Sequence, residues 1–329
     1  MSGAEVSVLV CTYNRRQLLL ETLDSLDRQT AIGQFEVVVA IDGSSDGTLE
    51  ALEVRQSGAP LRWVWQPNAG AAAARNAAAG LARNDVLLFL DDDQLAAPNL
   101  VAAHRDAHQR QPGALVQGVY PLAPESTGRG ASLAYELTRS NAMAGWDGTG
   151  TPWHLWGGNF SLTRATWAVV GGFDESFRIY GGEDEDFGLR AQALGVPVVL
   201  ELDAVSHHVY QVSYRSFRRN AFNAGRSAVR VSRKHNLALD ELPGSAIRPV
   251  DRVIGRAWRI SPSAVGALGV LASGGSWLAD RTGLPGVPLA MARLVRRLHY
   301  VGGVTVEGGL DRAPEKANPL VGERRAEGR

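Results

Sequence analysis

The sequence predicts an α/β fold: a doubly wound, mostly parallel sheet flanked by helices, with a C-terminal helical, basic extension. Short β-branched runs alternate with helical segments through the first hundred residues, as in strand–helix–strand units. Polar clusters recur where these strands end, and open sheets of this kind bind ligands beyond the carboxyl ends of their strands. After residue 210 the sequence becomes rich in arginine and helical in pattern, which predicts the extension.

The predicted elements follow one another in a regular order at first. Four apolar runs are predicted as strands, with helices after the first three; the strands are residues 6–10, 35–41, 61–65 and 86–90. The pattern then becomes mixed, with strands at 114–120 and 196–201 and helices near 132–143 and at 183–194. Beyond residue 210 we expect helices at 214–235, 248–260 and 288–299, and a flexible tail at 301–329.

Charges are distributed unevenly along the chain. The 329 residues carry 34 basic and 34 acidic side chains, but residues 1–210 hold 14 basic and 25 acidic ones, whereas residues 211–300 hold 15 and 4. We expect the basic segment either to lie on an anionic membrane surface or to pack as a plain helical subdomain on the acidic half. It carries no recognisable nucleic-acid-binding motif, so nucleic acid is not an expected partner.

Three features of the sequence bear on location. The single cysteine, Cys11, excludes an internal disulfide and is consistent with a reducing cytosol. Residues 1–10 do not resemble a signal peptide. The twenty uncharged residues between Arg259 and Asp280 include four glycines, four serines and Pro262, a poor composition for a spanning helix. We therefore expect a cytoplasmic protein, peripheral on the inner face of the plasma membrane if the basic segment binds lipid.

Three consecutive carboxylates, Asp91, Asp92 and Asp93, directly follow the fourth predicted strand. Such a cluster is repulsive unless a cation neutralises it, and alternation along an extended chain puts Asp91 and Asp93 on one side. Carboxylate oxygens suit Mg²⁺ or Mn²⁺. The sequence therefore predicts a divalent metal site here, with a solvated acidic turn as the alternative.

Two further polar positions favour an anionic or nucleotide ligand. Asp42 ends the second strand, where it is placed to accept hydrogen bonds from a ligand. Arg75 is a fixed cation in a helix start whose small residues allow close backbone approach. The sequence contains neither a P-loop nor a dinucleotide-binding fingerprint, so we expect a metal to bind any phosphates.

A second acidic cluster, residues 183–186, begins the helix predicted at 183–194, directly after two glycines. The helix dipole alone favours acidic residues there. Four carboxylates are more than a helix cap requires, so Asp184 or Glu183 is a candidate general base. His207 and His208 end the last strand, and one of them is expected to add an imidazole to the metal; a surface pair is the alternative.

Together these segments resemble glycosyltransferase family 2, inverting enzymes of the GT-A fold that transfer a sugar from a nucleotide-sugar. The resemblance covers about residues 5–210. It is carried, in chain order, by VSVLVCTYNR (6–15), VAIDGSSDGT (39–48), NAG (68–70) with ARN (74–76), FLDDD (89–93), GGNF (157–160), GGFDE (171–175) and GEDED (182–186). Each segment alone is weakly specific, but their order and spacing together are highly specific.

The resemblance implies a role for each matching residue. The nucleoside would be held by Thr12, Tyr13, Asp42 and Arg75, with Asp42 reading a uracil-type ring. Asp91 and Asp93 would be the family's Asp-x-Asp, contacting the ribose and the metal on the diphosphate, with Asp92 close by. Glu183 and Asp184 would be its Glu-Asp pair, in which the aspartate deprotonates the acceptor. His207 or His208 would be its late metal ligand.

The resemblance also implies an organisation and a pair of substrates. It divides residues 1–210 into a nucleotide-sugar-binding half (1–120) and an acceptor-binding and catalytic-base half (121–210). The Arg-rich helical extension (211–300) and the flexible tail (301–329) lie outside the resemblance and are predicted from composition and charge alone. The donor would be a UDP- or dTDP-linked sugar, and the acceptor a hydroxyl of a glycan or lipid-linked glycan. We predict that the acceptor is bound by Trp153, Trp156, Gly158 and Asn159, with core filling as the alternative for the tryptophans.

Two other functions are compatible with an acidic site on a doubly wound sheet. A sugar nucleotidyltransferase would bring a Gly-rich basic loop after its first strand, and residues 12–16 contain no glycine. A non-catalytic nucleotide-sugar-binding module would have no need of the acidic set at 183–186.

Overall fold

The computed structural model describes residues 5–126, 130–144, 155–210, 212–242, 244–282 and 286–310. They form two compact units. We call the first the sheet unit; it contains the described residues up to 126 together with 155–178 and 183–210. The second, the helical unit, contains residues 130–144 and 179–182 and the described residues from 212 onward.

The described residues of the sheet unit form one eight-stranded sheet. Its strands are β1 (Val6–Thr12), β2 (Phe35–Asp42), β3 (Leu61–Gln66), β4 (Val86–Asp91), β5 (Gln94–Ala96), β6 (Leu115–Val119), β7 (Asn159–Thr163) and β8 (Val198–His208). They lie in the order β3-β2-β1-β4-β7-β6-β8-β5. The pairs among β1 to β4 and the pair β6–β8 are parallel, whereas β7 and β5 run antiparallel to their neighbours.

Helices flank this sheet and build the helical unit. In chain order they are α1 (Arg16–Leu26), α2 (Thr48–Glu53), α3 (Ala71–Leu81), α4 (Leu100–Arg110), α5 (Gly130–Ala144), α6 (Arg164–Val170), α7 (Glu183–Ala193), α8 (Tyr214–His235), α9 (Pro249–Ile260), α10 (Pro262–Thr282) and α11 (Val287–Val306). The predicted fold class, an α/β sheet flanked by helices with a C-terminal helical extension, is confirmed.

The first strands were visible in the sequence because they are buried on both faces. Val8 of β1 joins a core with Leu19 of α1, while the next residue, Leu9, joins a second core with Ala78 of α3. Strands covered on both faces are continuous apolar runs. The two antiparallel strands were not predicted, because β5 and β7 bury polar side chains such as Gln94 and Ser161.

The helical unit departs from the predicted boundaries at two places. Helix α5, expected in the 121–210 half, lies in the helical unit, where Ala134 packs in one core with Phe217 and Val295. Helix α11 runs to Val306, and Val304 is fully buried, so residues 301–306 are helical and not part of a flexible tail. Residues 311–329, the rest of that predicted tail, lie outside the described residues.

The uncharged stretch between Arg259 and Asp280 forms most of α10. Within the part of the chain that the structure describes, every helix is too short or too polar to cross a lipid bilayer.

A close crossing of α8 and α11 gives a prediction for stability. A Cβ on Gly303 would overlap the carbonyl oxygen of Phe222, whereas a Cβ on Gly274 of α10 would meet no atom within 4 Å. We expect Gly303→Ala to lower the free energy of unfolding by about 2 kcal/mol through overpacking. Gly274→Ala, the matched control, should raise it by about 0.5–1 kcal/mol because alanine favours helix. Urea denaturation measures both, and equal effects would contradict the crossing.

Candidate active site

The polar residues predicted at strand ends meet at one edge of the sheet. Strands β1 and β4 are parallel neighbours, and their register pairs Cys11 with Asp91. The residue after Cys11 therefore comes beside the carboxylates that follow β4: the Thr12 hydroxyl donates to an Asp92 carboxylate oxygen at 2.8 Å. Asp42 ends β2, which pairs with β1 on its other side.

Arg75 joins the two acidic clusters. Its Nη2 donates to Asp91 Oδ1 at 2.9 Å and its Nη1 to Glu183 Oε1 at 2.8 Å. Burial alone would lower the pKa of Arg75, but the charges of Asp91 and Glu183 outweigh it and raise that pKa. A permanently charged guanidinium thus fixes the start of α7 beside the end of β4, about one hundred residues apart in the chain.

Asp92 and Asp93 are both buried and share a second guanidinium. Arg15 Nη1 lies 2.8 Å from Asp92 Oδ1 and 2.8 Å from Asp93 Oδ2, while the rest of this arginine is half-exposed. Burial, opposed by Arg15, raises the pKa of Asp92. Burial alone would also raise the pKa of Asp93, but His208 and Arg15 outweigh it and lower that pKa. Asp93 is therefore the carboxylate that stays ionised at neutral pH.

The structure distinguishes the two histidines that the sequence left open. His208 is buried, and its Nε2 lies 3.4 Å from Asp93 Oδ2. His207 is the preceding residue of β8 and pairs with Leu95 of β5, so its side chain points to the opposite face of the strand. Of the two, His208 is the residue placed beside the carboxylates.

The side chains of Asp93 and His208 provide some, but not all, of the ligands that a divalent cation needs. Asp93 Oδ1 is buried and has no hydrogen-bond partner among the described residues, whereas Oδ2 of the same carboxylate lies 3.4 Å from His208 Nε2. Asp91, the other predicted ligand, is engaged by Arg75. No group of three His, Cys, Asp or Glu side chains poised to hold a metal occurs in the described ranges. A Mg²⁺ or Mn²⁺ ion here would need further ligands from water or from substrate phosphates, as such ions commonly do.

Asp184 has the properties of a base held at the site. Its Oδ2 accepts the Gly157 amide at 3.2 Å and its Oδ1 accepts the Glu185 amide at 2.9 Å. Burial and the nearby charge of Glu183, opposed by Arg75, raise the pKa of Asp184 to about 6. Burial likewise raises the pKa of Glu185 to about 8, so at neutral pH that carboxyl is protonated. Asp184 is ionised at pH 7 and still basic enough to take a proton.

The Gly157-Gly158 turn connects Asp184 to the end of β4. The Gly157 amide donates to Asp184, and the Gly158 carbonyl accepts the Asp91 amide at 3.1 Å. A Cβ on Gly157 would lie 2.8 Å from Arg75 Nη2, and one on Gly158 would lie 3.1 Å from Asp91 Oδ2. Gly158, predicted to bind the acceptor, therefore lies against the carboxylate of Asp91, which was predicted to bind the donor.

Of the residues predicted to bind the acceptor, the structure corrects one, Asn159. Asn159 was predicted to bind the acceptor, but it is 0% exposed and its side-chain amide donates to the carbonyls of Val119 and Ala204. Its remaining oxygen meets the His104 ring at 2.8 Å, so Asn159 is a structural link between strands. Trp156 is half-buried and stays a prediction for the acceptor, whereas Trp153 lies outside the described residues.

Asp42 was expected to read the base of a nucleotide, but its carboxylate is engaged by the chain itself. It accepts four hydrogen bonds from residues 66–70, given by Gln66 Nε2, Asn68 Nδ2 and the amides of Ala69 and Gly70. Four bonds saturate a carboxylate. Asp42 therefore shapes the loop that leads into α3 and places Arg75. Tyr13, half-exposed at the end of β1, remains available for a nucleoside.

Arg15 and Gly157 belong to the site, although sequence reasoning gave them no role. Arg15 lies three residues beyond β1, beside the carboxylates that follow the neighbouring strand β4. A sequence-based prediction that β1 and β4 are neighbouring strands would have indicated that Arg15 lies near these carboxylates. Nothing in the sequence indicated that the Gly157 amide would meet Asp184, because the contact depends on the unpredicted strand β7.

Known families and proteins resemble this chain. Residues 7–167 match the family described as glycosyl transferase family 2, and residues 138–211 match one described as the N-terminal domain of galactosyltransferase. The validoxylamine A glucosyltransferase of Streptomyces hygroscopicus subsp. jinggangensis is 33% identical over 265 residues, which is 72% of this chain and 62% of that protein. The chain thus spans about three fifths of the length of this curated relative.

Two solved structures resemble the fold across nearly the whole chain. A mannosyltransferase from Pyrobaculum calidifontis, in complex with GDP-Man and Mn²⁺, covers 94% of this chain with a TM-score of 0.58 and 20% identity; 88% of that protein is matched. Residues 1–349 of S. aureus TarS, in complex with UDP-GlcNAc, cover 93% with a TM-score of 0.55 and 17% identity, and 91% of that protein is matched. At these identities the likeness shows the fold.

Proposed function

This chain belongs to glycosyltransferase family 2, and on that basis we propose that it transfers a sugar from a nucleotide-diphospho-sugar to a hydroxyl acceptor with inversion at the anomeric carbon. The observation that carries the proposal is the joining of two acidic clusters at one sheet edge. Arg75 bonds to both Asp91 and Glu183, and the Gly157-Gly158 turn bonds to both Asp184 and Asp91. These hydrogen bonds support a single site that holds both the proposed base and the proposed donor-binding carboxylates.

Asp184 would serve as the general base. As the acceptor oxygen attacks the anomeric carbon, its proton passes to the Asp184 carboxylate, and the bond to the diphosphate breaks on the opposite face. The hydrogen bonds from Gly157 and Glu185 orient this carboxylate before the substrate arrives. Attack from the face opposite the leaving group inverts the centre. Glu183 is held by Arg75 and would position the start of α7 rather than take the proton.

The donor would lie between Tyr13 and the carboxylates after β4. Asp93 and His208 would hold a Mn²⁺ or Mg²⁺ ion, supported by the orphaned Asp93 oxygen, with Asp91 and Asp92 as neighbouring donor-binding residues. When bound, such an ion neutralises charge on the departing diphosphate. Thr12 holds Asp92 in place from within the protein. The Mn²⁺ in the Pyrobaculum mannosyltransferase complex supports a metal of this kind.

The proposal extends to the acceptor, the donor nucleotide and the location of the protein. The acceptor would be a hydroxyl on a glycan or a lipid-linked glycan, approaching Asp184 past the half-buried Trp156. The donor is proposed to be UDP- or dTDP-linked; the two structural neighbours bind GDP-Man and UDP-GlcNAc, which supports the nucleotide-sugar class. A cytoplasmic position at the inner face of the plasma membrane would suit a lipid-linked acceptor.

A donor panel tests the function. The full chain is incubated with Mn²⁺ and single UDP-, dTDP- and GDP-sugars, and release of the nucleoside diphosphate is measured with and without polyol, glycan and lipid-linked acceptors. We expect one donor to be hydrolysed slowly and its turnover to rise when the right acceptor is added. Release of pyrophosphate from a sugar phosphate and a nucleoside triphosphate would show a nucleotidyltransferase instead. Binding of a donor without any turnover would show a non-catalytic module.

A further inference from the structure

The outward face of α10 carries large apolar side chains. Five of them, between 48% and 71% exposed, are Leu268, Val270, Leu271, Trp277 and Leu278. Leu271 and Leu278 lie seven residues, or about two helical turns, apart and therefore on one side of the helix. Small residues at positions 264, 267 and 274 are exposed as well, so the stripe is uninterrupted by polar groups over about four turns.

The inward face of the same helix is small and partly polar, which reverses the usual pattern of a packed helix. Its buried residues include Gly269, Ser273 and Ser276. A Cβ on Gly269 would overlap the His299 ring, and the Ser276 hydroxyl donates to the Pro288 carbonyl at 2.8 Å. An amphipathic helix in a globular protein normally turns its large apolar residues toward the core. Apart from Val265, the buried residues of α10 are glycine, alanine and serine, while the exposed face carries most of the large apolar ones.

Cations bracket this apolar stripe. Arg259, near the end of α9, lies just before α10, and Arg281, near the end of α10, places its guanidinium 4.1 Å from the centre of the Trp277 ring. The only acidic residue of α10, Asp280, is engaged inside the unit by the amide of Gly130. Helices α9 to α11 together carry seven arginines and two aspartates, a balance of +5. The second aspartate, in α9, is buried and paired with an arginine of α11.

Helix α9 also combines exposed apolar side chains with exposed arginines, over a shorter length. Val250, Val253 and Ile260 are more than half exposed and recur at helical spacing. Arg252 and Arg256 of the same helix are exposed too. By contrast, two arginines of α8, Arg226 and Arg230, are bound to Glu307, so the basic character of that helix is directed partly inward.

We propose that the outer face of α10, with the arginines at its ends, docks on an anionic lipid bilayer and lies in the plane of its interface. Large apolar side chains would enter the boundary between headgroups and acyl chains, while the guanidinium groups meet lipid phosphates. An indole beside a cation, as in Trp277 and Arg281, suits that depth. The positive charge at the ends of the stripe complements an anionic bilayer, and the continuous apolar face suits the boundary between its headgroups and acyl chains. Residues 311–329 hold nine charged residues among nineteen, a composition ill suited to cover an apolar stripe.

Vesicle flotation of the full-length chain tests this proposal without an enzyme assay. Vesicles of phosphatidylglycerol and phosphatidylcholine are compared with pure phosphatidylcholine, in low and high salt. We expect binding to the anionic vesicles, and at least about a tenfold loss for the Leu271→Gln/Leu278→Gln variant, because two large apolar groups no longer leave water. Arg281→Gln should weaken binding about fivefold at low salt and less at high salt.

The matched control is Val54→Gln/Val169→Gln, which changes two similarly exposed apolar residues of the sheet unit and should bind as the wild type does. Thermal unfolding of each variant shows that it is folded. The proposal is overturned if the wild type does not float with anionic vesicles, or if the α10 and control variants float equally. It is also overturned if sedimentation without lipid shows a wild-type dimer that Leu271→Gln/Leu278→Gln converts to monomer, because a second copy then covers this face.

Discussion

Replacing Asp184 by asparagine is expected to lower kcat for sugar transfer by about 10³-fold while leaving the affinity for the nucleotide-sugar within about twofold. The amide keeps the size of the carboxylate and can still accept the Gly157 hydrogen bond, but it cannot take a proton from the acceptor. Single-turnover kinetics give the transfer rate, and calorimetry with a non-hydrolysable donor gives the affinity. Loss of both together would show that Asp184 holds the donor and is not the base.

The neighbouring carboxyl provides the control for Asp184. Glu185 is protonated at neutral pH because burial raises its pKa to about 8, so Glu185→Gln should change kcat little. In the wild type, kcat should rise with pH through about 6, the pKa of Asp184, and fall about tenfold per unit below it, because only the ionised carboxylate accepts a proton. A rate that is flat between pH 5 and 7, once chemistry limits turnover, would contradict the assignment.

Replacing Asp93 by asparagine is expected to remove the metal dependence of donor binding. In the wild type we expect Mn²⁺ to tighten the binding of the nucleotide-sugar, and in Asp93→Asn the affinity should fall at least about tenfold, to the value found with a chelator. The reason is that Asp93 stays ionised beside His208 and has one carboxylate oxygen without a partner among the described residues. Calorimetry with and without Mn²⁺ measures this effect.

The two adjacent histidines form a matched pair for this experiment. His208→Ala should share the loss seen in Asp93→Asn, because His208 Nε2 lies 3.4 Å from Asp93. His207→Ala should bind the donor as the wild type does, because that side chain points away on the other face of β8. Equal effects of the two substitutions would remove His208 from the metal site.

The residues that could be predicted from the sequence are those attached to strands buried on both faces. Strands β1, β2 and β4 are continuous apolar runs, so the polar residues at their ends, such as Asp42 and Asp91, could be assigned to one sheet edge without a structure. The Glu183-Asp184 pair was recognisable by its excess of charge at a helix start and by resemblance. Its contact with Arg75 was not, since that depends on long-range packing.

The residues that could not be predicted are mainly polar side chains that are buried. Asn159 and Ser161 of β7 are fully buried and both bond to the ring of His104, so the strand has no apolar signature. As a result the sequence predicts a ligand-binding residue at Asn159, whereas the structure places Asn159 in strand β7 of the sheet. The exposed apolar face of α10 could not be predicted for a different reason. The composition shows that the stretch is uncharged, but it does not show which side of the helix faces water.

The most direct test of the central claim, that Asp93 and Asp184 serve one metal-assisted transfer site, is a crystal structure with Mn²⁺ and the nucleoside diphosphate, using anomalous scattering to locate manganese. We predict an anomalous peak within coordination distance of Asp93 and His208, with the diphosphate on the ion and Asp184 facing the position of the transferred sugar. A diphosphate bound elsewhere, or manganese bound away from Asp93 and His208, would contradict the account.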